Sequence, residues 1–228
     1  MVRTGLTLAL DAAAGPGTIA VLRDGVVIAE RDVEMRSATD ERFFPAVLET
    51  LADAGCTVHD LARIVAGAGP GSFTALRVVG AVAKGLCEGT GIPLLGVPSL
   101  ALIPGGAPAA LGPGRYLATL DALRGERYVA LLTLDEAGEV AAHEPLGLLE
   151  VAALQERATA SAATRIGPDE ELACAPHARG VARCGALLDA LGVVDLPAWE
   201  PVYGRLAEAQ VKWEAVHGRP LVAERHAT

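Results

Sequence analysis

The sequence has 228 residues, 51 % of them hydrophobic, and 28 acidic against 19 basic residues give it a formal charge of −9. That length allows one domain or two small ones, and the acidic balance excludes the basic stripe with which a chain grips phosphate backbones by itself. Apolar runs such as Val78–Ala83 fall far short of the roughly 20 residues that a bilayer requires, and no apolar run with a basic flank opens the chain, so a soluble, cytoplasmic protein is expected.

Residues 5–34 read as a β-meander. Leu6–Leu10 is a short apolar strand ending at Asp11, Ala12–Gly17 is a turn of small residues, and Thr18–Leu22 is a second strand. Arg23-Asp24-Gly25 is a tight-turn signal because Asp-Gly tolerates positive φ, and Val26–Val33 follows as the third strand. Residues 40–54 are expected to be helical: Phe44, Val47, Leu48 and Leu51 recur at helical spacing. Thr39 and Asp40 are suitable caps, Pro45 sits near the start, and Gly55 is a natural stop.

Arg63–Ala68 is a buried strand that runs into Gly69-Pro70-Gly71-Ser72-Phe73-Thr74. A helix over about 73–88 carries Leu76, Val79, Ala83 and Leu86 on one side, and its small residues Gly80, Ala81, Ala83 and Gly85 would let another helix approach closely. Pro93–Val97 is a further strand, and Pro98-Ser99-Leu100 opens a short helix. Residues 104–114, with Pro104, Gly105, Gly106, Pro108, Gly112, Pro113 and Gly114, form the clearest linker. The expected division is an N-terminal lobe over 1–104 and a C-terminal lobe over 105–205.

The second lobe opens with a hairpin, Arg115–Leu120 and Arg127–Leu134 joined by the turn Asp121–Glu126. Asp135–Gly138 is a turn, Leu148–Arg157 a helix, Ala162–Ile166 a strand and Gly185–Leu191 a short helix. The tail 206–218 is an amphipathic helix with Glu208 and Lys212 at i,i+4, which can return to the first lobe.

The candidate chemistry is sparse. Gly69–Thr74 can hold an anion on its free amides at a helix start, but it lacks the G-K-[ST] of a P-loop; the other reading is a structural elbow with Phe73 as a core plug. Asp121 can ligand a metal or stabilise its turn, the commoner task, and Arg124 with Glu126 can be a solvated pair. Asp11 stands where actin-like nucleotide-binding folds place a metal-directed aspartate, but Ala12-Ala13-Ala14 lacks the flexibility of a phosphate-wrapping glycine turn. Cys56, Cys87, Cys174 and Cys184 show no C-x-x-C pair and read as idle thiols of a reducing cytoplasm, with a Cys174–Cys184 disulfide left open. His59, His143, His177, His217 and His226 lack metal-ligand spacing and read as surface residues. No metal or cofactor is expected.

These residues carry a resemblance. Gly69-Pro70-Gly71-Ser72-Phe73-Thr74-Ala75-Leu76-Arg77 is similar to the G-P-G-S-F-T-G-L-R signature of the TsaB (YeaZ) family, with Ala75 for the last glycine. Ala83–Leu86, Pro93–Ser99 and Leu8–Ala12 agree with it in order. So do Asp121–Tyr128, including Gly125, Glu126 and Tyr128, with D-A-R-x-G-E-x-Y, and Glu200-Pro201-Val202-Tyr203 with E-P-x-Y. Residues 135–195 match only in length. The chain departs at Thr39-Asp40-Glu41, where the family commonly has His-Ser before Glu, and in the missing threonine after Asp11.

The resemblance implies an α/β, two-lobed actin-like (ASKHA), ribonuclease-H-like fold, with a mixed sheet flanked by helices in each lobe. It implies a non-catalytic subunit in the synthesis of N6-threonylcarbamoyladenosine in transfer RNA, which binds a TsaD-like catalytic paralogue and helps to recruit a TsaE-like ATPase. Self-pairing in isolation would use the same helical face, residues 40–54 and 73–88. Phe44, Val47, Leu48, Leu51, Leu76, Val79, Gly80 and Ala83 are the candidate interface, the alternative for each being packing against its own sheet. A different class, an ATP-dependent small-molecule kinase or ATPase, would place Asp11 and Asp121 on Mg²⁺. A peptidase would need a nucleophile with a base, and none is nominated.

Overall fold

The computed structural model describes residues 5–35 and 42–204. The expected caps Thr39 and Asp40 and the expected helix 206–218 lie outside the described residues.

Strands β1 (Leu6–Asp11), β2 (Gly17–Arg23) and β3 (Val26–Val33) form the antiparallel meander, turned between β2 and β3 by Asp24 and Gly25 at φ 52° and 84°. Helix α1 (Phe43–Asp53) follows, with Pro45 in its first turn, where the missing N–H had no intrahelical partner to lose. Strand β4 (Leu61–Gly67) then lies parallel to β1; helix α2 (Phe73–Thr90) crosses over and β5 (Leu94–Val97) lies parallel to β4, giving the order β3-β2-β1-β4-β5. Gly91, left-handed at φ 74°, closes α2 by donating its N–H to the Cys87 carbonyl. Strands β1 and β2 are apolar on both faces because both are covered; the edge strand β3 alternates.

The glycine- and proline-rich tract is only partly a linker. Its first residues continue as helix α3 (Ile103–Gly106), packed so closely that a methyl on Gly105 would lie 2.2 Å from the Gly180 Cα and one on Gly106 1.8 Å from the Ala175 carbonyl oxygen. The second sheet takes its strands from later in the chain: β6 (Gly114–Asp121), β7 (Glu126–Leu134), β8 (Val140–Glu150), β9 (Thr164–Gly167) and β10 (Leu172–Ala173), in the order β10-β9-β6-β7-β8. Helix α4 (Val151–Ala160) precedes β9, and a 3₁₀ segment (Ala178–Arg183) leads into α5 (Gly185–Leu191). Strand β8 was not legible in the sequence, since Pro145 and Gly147 interrupt it. Both are tolerated on an edge strand, at an irregularity in its register with β7. The expected helix from Leu148 consequently begins only at Val151.

Three apolar clusters order these layers. Leu8, Leu10, Ile19, Val21, Ile64 and Ala66 face α1 and α2 on the outside of the first sheet. Leu117, Val129 and Leu131 face Leu154 and Ala158 of α4 on the outside of the second. Between the sheets, Ala9, Ala20, Leu22, Val65 and Leu95 share one core with Ala118, Leu120, Ala130 and Leu132. Leu100, Leu102, Ile103, Ala178, Val181 and Cys184 fill the space between them. The arrangement is the two-sheet, actin-like, ribonuclease-H-like fold, with its middle filled by its own chain.

Candidate functional site

Asp11 ends β1 and is 1 % exposed. Its Oδ1 accepts the Ser99 hydroxyl at 2.6 Å and its Oδ2 accepts the Ala13 N–H at 3.0 Å. Ser99 Oγ in turn accepts the Gly69 N–H at 3.1 Å. The Asp11 carbonyl accepts the Thr18 hydroxyl, which itself accepts the Ala178 N–H at 2.9 Å. Burial pushes the Asp11 carboxyl up to about 6, against the lowering effect of its bonds from Ser99 and Ala13. No side chain fits at Gly67, where a Cβ would sit 1.8 Å from Asp11 Oδ1.

The turn after Asp11 is closed in the same way. The Ala13 carbonyl accepts the Ser72 N–H at 2.8 Å, and a Cβ on Gly71 would lie 2.4 Å from that oxygen. Gly71 is therefore glycine so that the elbow can lie against Ala13, and Ser72 spends its amide there. Neither carboxylate proposed for Mg²⁺ has the donor set for it: Asp11 is committed to Ser99 and Ala13, and Asp121 accepts the Leu123 N–H at 3.1 Å and pairs with Arg127. No group of three or more metal-ligating side chains occurs among the described residues. Asp121 thus braces its hairpin, where Leu123, Arg124 and Gly125 take consecutive positive φ of 62°, 56° and 77°. Arg127 reaches on to Asp169 at 3.2 Å.

Motifs far apart in sequence meet at the elbow. Val202 donates its N–H to the Ala68 carbonyl at 2.7 Å, and its own carbonyl lies where a Cβ on Gly69 would come within 2.2 Å. The rings of Phe73 and Tyr203 are 4.5 Å apart, and the Arg77 guanidinium lies 5.4 Å from the Phe73 ring centre. The Tyr128 hydroxyl donates to the Tyr203 carbonyl at 3.3 Å. Phe73 is half-exposed and clasped by Tyr203, so it is an edge contact and not the expected core plug. Pro70 joins Gly69 through a cis peptide, and Thr74 faces solvent in the first turn of α2.

The candidate interface divides. Val47, Leu51, Leu76, Val79, Gly80 and Ala83 are buried within the chain. The first sheet or the inter-sheet core takes the apolar faces of both helices, and Gly80 faces Pro201, 3.2 Å from where its Cβ would be. These six are covered by the chain itself. Leu48 is 44 % and Phe44 39 % exposed, and Ala81 and Gly85 lie on the solvent side of α2. The segment 194–203 returns across α2 and β5. Val194 donates its N–H to the Leu94 carbonyl at 3.0 Å, and Lys84 donates to the carbonyls of Pro197 and Trp199 at 3.3 and 3.0 Å. Helical periodicity finds the greasy face of a helix but not whether a sheet or a second protein covers it.

The four cysteines are free thiols; burial pushes Cys87 up to about 11 and Cys184 up to about 12, which leaves both inert. Two histidines are not surface residues. His177 accepts the Arg179 N–H on Nδ1 at 3.1 Å and approaches Asp32 Oδ1 with Nε2 at 3.0 Å. Arg179 holds Glu30 at 3.2 Å and the Gly105 carbonyl at 2.6 Å, so the pair clasps the 3₁₀ segment to β3 and α3. The buried Nε2 of His143 has no partner among the described residues.

Fold and site together define an actin-like protein whose first-strand aspartate is buried and hydrogen-bonded by its own chain, as is the turn that follows it. The family model described as "TsaD: tRNA N6-adenosine threonylcarbamoyltransferase" matches residues 35–163. The "tRNA threonylcarbamoyladenosine biosynthesis protein TsaB" of Escherichia coli (strain K12) is 35 % identical over 150 residues, 66 % of this chain and 64 % of that protein. The Bacillus subtilis (strain 168) protein of the same name is 35 % identical, over 54 % of this chain and 53 % of the relative. The alignment thus spans between half and two-thirds of these relatives. A crystal structure titled as a protein "with similarity to peptidase YEAZ from Pseudomonas aeruginosa" superposes with a TM-score of 0.71 at 25 % identity, over 89 % of this chain and all of that one. The chain belongs to the TsaB (YeaZ) family, within the group that the TsaD model describes. No helix among the described residues is long and apolar enough to cross a membrane.

Proposed function

We propose that this chain is a non-catalytic subunit of the cytoplasmic machinery that makes N6-threonylcarbamoyladenosine at position 37 of transfer RNA. It docks on a TsaD-like catalytic subunit and helps to recruit a TsaE-like ATPase. The burial of Asp11 carries this reading: the carboxylate that would direct a metal-bound phosphate is 1 % exposed and bonded to Ser99 and Ala13, and the turn that would wrap the phosphate is bonded to Ser72. Family membership supplies the pathway, and the exposed side of α1 and α2, centred on Leu48 with Ala81 and Gly85, is the docking face, also used for self-pairing when the chain is alone.

A reconstituted modification reaction tests the role. Product formation stops when this chain is omitted and returns when it is restored; full activity without it refutes the proposal. Leu48→Glu leaves the chain folded and abolishes co-purification with the TsaD-like subunit, and unchanged binding of that variant removes the docking face from α1. An actin-like ATPase or small-molecule kinase would need Asp11 and Asp121 on Mg²⁺, and both are engaged elsewhere. Turnover of Mg-ATP by the purified chain alone would reverse this choice.

A further inference from the structure

Residues 193–203 leave α5 at Gly192, which is left-handed at φ 71°, and cross α2 and β5 to reach the elbow. They form no helix or strand, only a turn closed by the Trp199 N–H on the Asp195 carbonyl at 2.8 Å. Pro201 is the one buried residue among them. Two backbone-to-backbone hydrogen bonds tie them to the rest of the described chain, Val194 N–H to the Leu94 carbonyl at 3.0 Å and Val202 N–H to the Ala68 carbonyl at 2.7 Å.

Between these two ties the hold comes from side chains. Lys84 of α2 donates from Nζ to the carbonyls of Pro197 and Trp199 at 3.3 and 3.0 Å. The Trp199 ring occupies a slot that needs glycine on both walls. A Cβ on Gly96 would lie 2.8 Å from its Nε1, and one on Gly80 3.2 Å from Pro201 and 3.7 Å from the Trp199 ring. Val194, Leu196 and Trp199 lean half-buried on the core under α1 and α2. Past the second tie, the Tyr203 ring rests on Phe73 at 4.5 Å and its carbonyl accepts the Tyr128 hydroxyl at 3.3 Å.

A segment with so little buried surface and so few backbone bonds opens at a lower free energy than the whole molecule. Hydrogen bonds from an ammonium are stronger than those between neutral groups, so Lys84 supplies much of what keeps this segment shut. Tyr203 travels with it, and opening therefore also lifts a ring off the elbow. We propose that residues 193–203 are a strap that opens and closes as one unit, with Lys84 as its latch, and that the closed strap braces the elbow 69–74 through Tyr203. Lys84 is a positioning residue, since it holds the strap and the strap holds the elbow. The device does not depend on the proposed role in transfer RNA modification.

Hydrogen exchange of the full chain, followed amide by amide by NMR, tests it. Lys84→Met keeps the stem of the side chain and removes the ammonium. In that variant the amides of Val194 and Val202 exchange about tenfold faster, equivalent to about 1.4 kcal/mol. The Ser72 amide, which bonds the Ala13 carbonyl at the elbow, speeds up with them, and the amides of β1 keep their parental rates. Gly96→Ala presses a methyl against the Trp199 indole with Lys84 in place. It releases the same three amides and decides the matter if the Met variant does not fold. The strap is overturned if Val194 and Val202 exchange at parental rates in the folded variants, or if one responds without the other. A rise of the same factor in β1 overturns it too, since that reports global unfolding. An unchanged Ser72 amide overturns the brace on the elbow.

Discussion

Replacing Asp11 by asparagine separates a structural aspartate from one kept for chemistry. The native carboxyl is raised from 3.8 to about 6 by burial, a rise of about two pH units worth about 3 kcal/mol at 1.36 kcal/mol each. The folded state holds its proton more tightly than the unfolded state does. Stability therefore falls as pH rises from about 3.8 through about 6 and is level above that. Asparagine has the shape of the protonated acid. Its Oδ1 can accept the Ala13 N–H and its Nδ2 can donate to Ser99 Oγ, which already accepts from Gly69 and has a second lone pair. Urea unfolding at pH 8 is expected to show the variant more stable than the parent by about 1–3 kcal/mol, part of the gain being lost to imperfect amide geometry. Between pH 4 and pH 8 the variant gains on its parent by roughly 3 kcal/mol, and modification activity of the reconstituted system is retained. A stability difference between variant and parent that does not change with pH refutes the account of Asp11, and an inactive but folded variant refutes its structural role.

The other expectations are simpler. Gly71→Ala forces a methyl to 2.4 Å from the Ala13 carbonyl oxygen, so the elbow must shift at a cost of about 1–3 kcal/mol, read as a fall in Tm with no change of fold by circular dichroism. Leu76→Glu places an unpaired carboxylate in the inter-sheet core and loses partner binding only by unfolding the chain, in contrast to the exposed Leu48→Glu. For His177, burial and the neighbouring Arg179 lower its affinity for a proton, so the unfolded state protonates first and stability drops as pH falls below about 6.5. His177→Ala costs about 1 kcal/mol at pH 8 through the lost cap on the Arg179 N–H. It also flattens the fall in stability below about pH 6.5 that His177 contributes, which urea midpoints on either side of that pH measure.

The sequence by itself determined what depends on neighbours along the chain. The meander of β1 to β3 follows from short apolar runs and the Asp24-Gly25 turn; α2 follows from its helical spacing, and α5 from Gly185 to Leu191. The ordered motifs pointed to the family before any coordinate did. Only the tertiary structure decided what covers each face. Val79 and Ala83 have the same helical signature whether they meet β-strands or another molecule, because periodicity records that a face leaves water and not what replaces it. Strand β8 was hidden because its Pro145 and Gly147 are breakers everywhere except on an open edge. The fate of Asp11 was hidden for the same reason: Ser99, which holds its carboxylate, stands 88 residues away, just past the end of β5, and the two meet only once β1, β4 and β5 are assembled into one sheet.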